Sequence, residues 1–142
     1  MYKEILLPID LAEPSSWKKA LPSAIQICET FGTRLHVMTV VPDFGSSLVG
    51  SFFPKGFQET ATEEVKKQLK EFVAENIPDH INVQRVVDNG VVYDEILGMS
   101  ENLDIDLIIL SSHRPKLGDY LLGPNAARVV RHAKCSVFVV RD

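Results

Sequence analysis

The stretch that decides the fold is DLIILSSHRPKLGDYLLGPNAARVVRHAKCSVFVV, residues 106–140. It opens and closes on short, nearly continuous apolar runs, DLIIL (106–110) and SVFVV (136–140), which are typical of strands buried on both faces. Between them, a loop rich in turn residues leads into a predicted helix from about Pro124 to His132. A strand, a crossover helix and a second strand in this order predict a parallel pair.

The rest of the chain repeats this alternation of apolar runs and helical segments. Three further runs are ILLPI (5–9), LHVMTVV (35–41) and INVQRVV (81–87), with residues of helical spacing between them. The pattern predicts five strands and four helices in one α/β domain over residues 1–142. We expect a doubly wound, Rossmann-like parallel sheet with helices on both faces and right-handed crossovers.

Two of the predicted helices can be described in more detail. The first begins near Lys18 or Lys19 and ends at Gly32, since Pro22 then falls in the first turn, where its missing N–H costs little. Residues 43–57 have turn residues and no clean period, and they predict a long mobile loop before the second helix. That helix has an apolar stripe, and its charged residues predict a solvated face. They are Glu63, Glu64, Lys66, Lys67, Lys70 and Glu71.

Composition and charge restrict the classes of partner. The net charge of −4 argues against a general binder of nucleic acid or of anionic membrane, because both partners are negatively charged and bind a basic surface. No run approaches the roughly 18 apolar residues of a membrane helix. The opening MYKEILLPID has too short an apolar run for a signal peptide, so we expect a cytoplasmic protein. Cys28 and Cys135 form no CxxC motif, and we expect buried free thiols.

A ligand of such a sheet binds beyond the carboxyl ends of its strands. The segments that leave those ends are Pro8-Ile9-Asp10, Val40-Val41-Pro42, Asn89-Gly90 and Ser111-Ser112-His113. We call the edge of the sheet formed by these strand ends the rim. The helix after Gly123 directs its free N–H groups and the positive end of its dipole back to the rim, which favours an anion such as phosphate. Serine hydroxyls, His113 and a bidentate Arg114 add donors, whereas the common phosphate loops GxxxxGK[ST] and GxGxxG do not occur in the sequence.

The same residues also fit a purely structural turn. Gly and Ser are frequent where a strand leads into a helix, and Gly123 with Pro124 makes a good helix start, as N-cap and first helical residue. Asp10, at its strand end, fits either a ligand contact or a cap of the following turn. On spacing alone, the anion site and the structural turn are both open.

Four segments together resemble the universal stress protein family over the whole chain. They are ILLPID (5–10), TVVP (39–42), SSHRP (111–115) and LLGPNAARVVRHAKCSVFVV (121–140). The resemblance is greatest to the branch of small bacterial members called universal stress proteins F and G. It implies an adenine nucleotide alpha-hydrolase-like fold. It also implies a nucleotide at the rim, because several members bind ATP through the pattern G-x2-G-x9-G-[ST].

Carried over position by position, the resemblance implies nucleotide contacts from the strand ends and the last helix. Ser111 and Arg114 stand at two glycine positions of the pattern, and Gly123 matches the third glycine. The loop between them is one residue shorter, and Pro124 replaces the phosphate-binding Ser or Thr. The implied contacts are Pro8, Ile9, Asp10, Val40, Ser111, Ser112, His113, Arg114, Gly123, Pro124, Asn125 and Ala126.

The function that the resemblance implies is a dimeric stress regulator that binds ATP, or ADP or AMP, with magnesium accompanying the phosphates. SVFVV is a predicted sheet edge, and in the family this strand pairs with its copy in a second subunit. No catalytic residues and no transition-metal site can be assembled from the sequence. Two alternatives stay open. One is a nucleotide-free dimeric interaction module that uses the loop aromatics Phe44, Phe52, Phe53 and Phe57. The other is a slow ATPase or autophosphorylating protein.

Overall fold

The computed structural model of the protein describes residues 1–42, 56–112 and 124–141. Within these ranges the chain forms five β-strands and four α-helices, with a 3₁₀ turn at Pro14–Ser16 after the first strand. In chain order they are β1 (Glu4–Pro8), α1 (Ala20–Phe31), β2 (Arg34–Val41), α2 (Phe57–Asn76), β3 (Asn82–Asn89), α3 (Val92–Asn102), β4 (Leu107–Ser112), α4 (Pro124–His132) and β5 (Ser136–Arg141). The predicted α/β class is confirmed.

All five strands are parallel, and their order across the sheet is β3-β2-β1-β4-β5. Glu4 pairs with Arg34 of β2, and Ile5 pairs with Leu107 of β4, so that β1 lies in the centre. β3 and β5 form the edges in the part of the chain that the structure describes, which confirms the predicted edge position of SVFVV. The prediction that this strand is buried on both faces is wrong, because every residue of β5 is partly or fully exposed. The strand order reverses between β1 and β4.

The sheet separates two hydrophobic cores. Side chains alternate between its faces, so that Ile5 and Leu7 of β1 pack with α1 and α2, whereas Leu6 packs with α3 and α4. Leu69 of α2 and Ile96 of α3 are completely buried, each in one of the two cores. The helices therefore cover both faces, as predicted for a doubly wound sheet.

The ends of α1 follow from local chemistry. The helix begins at Ala20, one or two residues after the predicted start, and Pro22 falls in its first turn, where an N–H would have no helical acceptor. Gly32 follows the helix with a φ of 66°, and its N–H donates to the carbonyl oxygen of Cys28 at 2.8 Å. This left-handed conformation explains why glycine ends the helix here.

The predicted loop over residues 43–57 needs one correction. Phe57 is not a loop residue but the first residue of α2, which follows Gly56 in a left-handed conformation. Residues 43–55, with the aromatics Phe44, Phe52 and Phe53, lie outside the described residues.

Two strands, β3 and β4, end two residues later than predicted. Asp88 and Asn89 follow the predicted run INVQRVV (81–87), but they belong to β3, because the ladder with β2 continues to the pair Val41 and Asn89. Ser111 and Ser112, which were placed in a loop, are the last residues of β4, since the ladder with β5 continues through them. In both cases a neighbouring strand supplies hydrogen bonds to residues that have little strand propensity of their own.

The two cysteines differ in burial. Cys28 is buried, whereas Cys135 is only partly buried, so the expectation of buried thiols is correct for Cys28 alone. Burial raises the pKa of both thiols. No helix in the described ranges is long and apolar enough to cross a membrane.

Candidate functional site

A crevice opens between the carboxyl ends of β1 and β4. In the described structure the ladder between these strands ends at the pair Leu6 and Ile108, although β1 continues to Pro8 and β4 continues to Ser112. β1 remains paired with β2 beyond this point. The two strands therefore separate toward the rim, at the place where the strand order reverses and where open α/β sheets bind ligands.

Pro8 explains why this ladder ends early. The N–H of the next residue, Ile9, points to β2, where it donates to the carbonyl oxygen of Met38 at 2.8 Å. Successive residues of a central strand direct their backbone groups to opposite neighbours, so the nitrogen of Pro8 faces β4. Proline has no N–H to donate. The predicted contact residue Pro8 thus opens the crevice by removing a donor from the ladder.

Asp10 lies in a turn that Ser16 closes. The Ser16 hydroxyl accepts a hydrogen bond from the N–H of Asp10 and donates one to its carbonyl oxygen, both at 2.9 Å. Oδ1 of Asp10 accepts from the N–H of Ala12 at 2.9 Å, which is the turn cap considered from the sequence. Oδ2 of Asp10 has no partner among the described residues. One carboxylate oxygen therefore stabilises the turn, and the other is free to contact a ligand.

Ser111 contributes a buried hydroxyl at the end of β4. The residue is 3% exposed, and its Oγ atom has no hydrogen-bond partner among the described residues. A buried hydroxyl without a partner costs free energy. A polar group of a ligand, or of the segment 113–123, would satisfy it. Alternation along β4 places Ser111 on the face of α1 and α2 and Ser112 on the other face.

The start of α4 provides further candidates. Pro124 is the first helical residue, as predicted, so the helix lacks one of its terminal N–H donors. The N–H groups of Asn125 and Ala126 are then the first that the helix body offers to an anion. Ala126 is 5% exposed and packs in the same core as Val129, which fixes the position of this helix end.

The structure brings most of the described candidates to neighbouring strand ends. Val40 lies near the end of β2, next to β1, and packs against the core of α3 and α4. Pro8, Ile9, Asp10, Val40, Ser111 and Ser112 thus lie at the ends of three adjacent strands. His113, Arg114 and Gly123 lie outside the described residues. Across the described ranges, no group of three His, Cys, Asp or Glu side chains could hold a metal ion.

The polar network at the ends of β2 and β3 was not predicted. Oδ1 of Asn89 accepts hydrogen bonds from Nε2 of Gln58 at 3.0 Å and from Oγ1 of Thr62 at 3.1 Å. The N–H of Gly90 donates to the carbonyl oxygen of Val41 at 3.0 Å. These bonds tie the start of α2 to the rim. The only sequence signal was the Asn-Gly pair after a strand, because the side-chain partners are 27 and 31 residues away.

Two carboxyl groups, those of Asp88 and Glu95, meet beside this network. A hydrogen bond with Asp88 raises the pKa of Glu95 to about 7, and desolvation and the charges of Asp88 and Asp94 act in the same direction. Gly90 leaves room for Glu95, since a Cβ atom at Gly90 would lie 2.5 Å from its Oε1. Glu95 therefore exchanges its proton near neutral pH.

Known structures share this fold. The protein is similar to universal stress protein UspA from Lactobacillus plantarum, with a TM-score of 0.69, 21% identity and coverage of 99% of this chain and 98% of the other. It is also similar to a universal stress protein solved in complex with cAMP, with a TM-score of 0.62, 20% identity and coverage of 99% and 97%.

Sequence comparison identifies the family. Universal stress protein G of Shigella flexneri is 32% identical over 143 residues, which cover 99% of this chain and 100% of that protein. The sequence model of the Universal stress protein family matches residues 1–141. The chain therefore belongs to the universal stress protein family.

Proposed function

We propose that this chain binds an adenine nucleotide, with ATP as the first candidate, in the crevice between β1 and β4. In this proposal it acts as a dimeric regulator of the stress response in the cytoplasm, by binding and not by rapid turnover. Family membership and the position of the crevice support the proposal. The fold neighbour in complex with cAMP points to the adenosine moiety, which cAMP shares with ATP, ADP and AMP.

The proposal rests on the early end of the hydrogen-bond ladder between β1 and β4, which leaves a crevice between the two strands. Ser111 is buried beside this crevice. The strands part after Leu6 because Pro8 has no N–H for β4. The Ser111 hydroxyl is left without a partner among the described residues. A ribose hydroxyl or a phosphate oxygen would supply the hydrogen bond that this hydroxyl lacks.

The described residues of the rim divide into an adenosine end and a phosphate end. Oδ2 of Asp10 accepts a hydrogen bond from a ribose hydroxyl, and Val40 packs against the base. The N–H groups of Asn125 and Ala126, with the positive end of the α4 dipole, hold a phosphate, whose oxygens would also carry any magnesium ion. Because Pro124 removes one donor, we expect the phosphates to add less affinity than the adenosine moiety.

The proposed dimer uses the outer edge of β5. In the described structure β5 pairs with β4 alone, and Phe138 is 45% exposed. An unpaired edge presents N–H and C=O groups to another chain, and pairing with its own copy about a two-fold axis would satisfy both edges at once.

Calorimetric titration of ATP into the wild type and a Ser111→Ala variant tests the site. We expect one nucleotide per wild-type chain, and affinity lower by about five- to tenfold in the variant, as for one lost hydrogen bond. The midpoint of thermal unfolding should not fall, because the hydroxyl has no partner among the described residues.

Two outcomes would contradict this site. Equal ATP affinity in the wild type and the Ser111→Ala variant would place the nucleotide elsewhere. A wild type that ignores ATP would favour the nucleotide-free interaction module. Release of ADP above a control without protein would instead identify a slow ATPase.

A further inference from the structure

A groove of about 420 Å³ runs between α2 and the edge strand β3. Four cations, one carboxylate and two apolar residues line it, and we call it the basic cleft. They are Glu63, Lys66, Lys67, Leu69 and Lys70 of α2 and Arg85 and Val87 of β3. We propose that the basic cleft binds an extended acidic segment of a partner protein. The segment pairs with the outer edge of β3, which is unpaired among the described strands, and places its carboxylates among these cations.

Most cations of the basic cleft have no partner in the part of the chain that the structure describes. Lys66 pairs with Glu63 at 3.3 Å, whereas Lys67, Lys70 and Arg85 have no ion pair or side-chain hydrogen bond among the described residues. The whole chain has a net charge of −4, so this excess of positive charge is local. Such a patch steers and holds a partner of opposite charge.

The cationic side chains of α2 and β3 lie along the same channel. Lys66 and Lys70 are four residues apart, on one face of α2. Arg85 lies on β3 between Val83 and Val87, and alternation along the strand places all three on the sheet face that α2 covers. Both valines pack partly against the core. The channel therefore combines cations with apolar surface, which suits glutamate, because its carboxylate can meet the cations while its methylene groups contact the valines.

β3 supplies backbone groups to the same channel. It has eight residues and no proline, and in the described structure it pairs with β2 alone. The N–H and C=O groups on its outer side form a template for one more strand. Alternate residues of an added strand recur about every 7 Å on one face. An extended segment can thus make backbone hydrogen bonds while alternate side chains reach the cleft.

The charge of the cleft selects a foreign acidic segment over a second copy of this chain. Two β3 edges that paired about a two-fold axis would bring two basic clefts together, and the like charges would repel. Carboxylates in an added acidic strand would instead accept charge-assisted hydrogen bonds from the lysine and arginine side chains of the cleft. Arg85 can bind a carboxylate through two parallel N–H donors, whereas the lysines act as point charges.

The first test uses a fluorescein-labelled peptide of alternating glutamate and valine, about as long as β3, titrated with the full chain and followed by fluorescence anisotropy. In about 20 mM salt, where screening is weak, we expect saturable binding that Arg85→Glu weakens by at least about tenfold. Arg131→Glu makes the same change of charge on α4, on the opposite face of the sheet, and should weaken binding by less than about twofold. Equal affinity of the two variants, or no binding by the wild type, overturns the proposal.

Strand pairing has a separate readout. We expect the peptide to slow amide hydrogen exchange in β3, and we expect methylation of alternate peptide nitrogens to abolish binding because it removes the backbone donors. Unchanged exchange in β3, or full binding of the methylated peptide, contradicts strand addition. Inorganic tripolyphosphate serves as the small-anion probe. If it binds in an Arg85-dependent manner and the peptide does not bind, the cleft is a small-anion site and the proposal is overturned.

Discussion

The hydroxyl of Ser16 fixes the turn that carries Asp10. Ser16 is completely buried, and its hydroxyl bonds both the N–H and the carbonyl oxygen of Asp10. We expect Ser16→Ala to lower the free energy of unfolding by about 1–3 kcal/mol, because two backbone groups lose their partner. We also expect weaker nucleotide binding, since Asp10 loses its fixed position. Urea denaturation and calorimetric titration with ATP measure the two effects.

Ser15→Ala is the matched control. The hydroxyl of Ser15 makes no hydrogen bond within the described ranges, so this variant should differ from the wild type by less than about 0.5 kcal/mol. A Ser16→Ala protein as stable as the control would show that the hydroxyl does not hold the turn.

Glu95 makes the folded protein less stable as the pH rises. Its pKa is raised from 4.5 to about 7, first by the hydrogen bond with Asp88, so the folded protein keeps a proton that the unfolded chain releases. Stability should therefore fall as the pH rises from about 5 to about 8. Glu95→Gln should remove this part of the fall, which we expect to be below about 1 kcal/mol because solvent screens the surface pair.

Urea denaturation at both ends of this pH range measures the effect. Glu75→Gln is the control, since Glu75 is an exposed carboxylate on α2 that has no partner in the described structure. If Glu95→Gln keeps the wild-type difference between the two pH values, the proton is held elsewhere.

Asp10 and His36 show how far single residues can be predicted from the sequence. Both roles of Asp10 were predicted as alternatives. The structure shows the turn cap, and the ligand contact stays a prediction. In contrast, no sequence pattern indicated that Nε2 of His36 lies 2.6 Å from Oε2 of Glu4, which is 32 residues earlier. That contact depends on the register between β1 and β2, which a local pattern does not contain.

At the scale of elements, alanine substitutions at two glycines test the effect of backbone conformation on stability without a steric clash. A Cβ atom would meet nothing within 4 Å at Gly32 or at Gly98. Gly98 lies inside α3, whereas Gly32 has a φ of 66°. We expect Gly98→Ala to raise the free energy of unfolding by about 0.5–1 kcal/mol. Gly32→Ala should lower it by about 1–2 kcal/mol, because an L-residue is strained in the left-handed region. Shifts of the same sign in urea denaturation would contradict this assignment.

The ends of a helix or strand could be predicted more accurately where the sequence contains a local start or stop signal. The helix α4 has the predicted bounds, Pro124 to His132, because proline at the first position is a local signal. The end of β4 was missed, since Ser111 and Ser112 join the sheet only through their ladder with β5. The ends of strands depend on the neighbouring strand as much as on their own residues.

At the scale of the whole molecule, the outer edge of β5 is the proposed dimer contact. We expect Phe138→Glu to convert the dimer into a monomer of 15.9 kDa, because strand pairing about a two-fold axis would bring two carboxylates together. Val130→Glu on α4 is the control, since Val130 is 52% exposed and Phe138 is 45% exposed. Size-exclusion chromatography with light scattering measures the mass. A monomeric wild type, or a dimeric Phe138→Glu variant, would contradict a dimer through β5.

The parallel, doubly wound sheet could be predicted because strands alternate with helices, but the order of the strands could not. Several orders satisfy the same alternation with right-handed crossovers. The sequence therefore placed four strand ends on one rim without showing which of them adjoin. In the structure, β1 and β4 flank the reversal of order, whereas β3 lies at the edge. The position of the crevice follows from this order.

The measurement that tests nucleotide binding most directly is identification of the small molecule that freshly purified protein carries. The protein is denatured, the released material is analysed by chromatography and mass spectrometry, and the emptied protein is titrated with ATP. We expect close to one ATP, ADP or AMP per chain, or saturable rebinding of ATP well below millimolar concentration. An empty protein that does not bind ATP at about 1 mM would contradict nucleotide binding and would make the Gly123-Pro124 segment a structural turn.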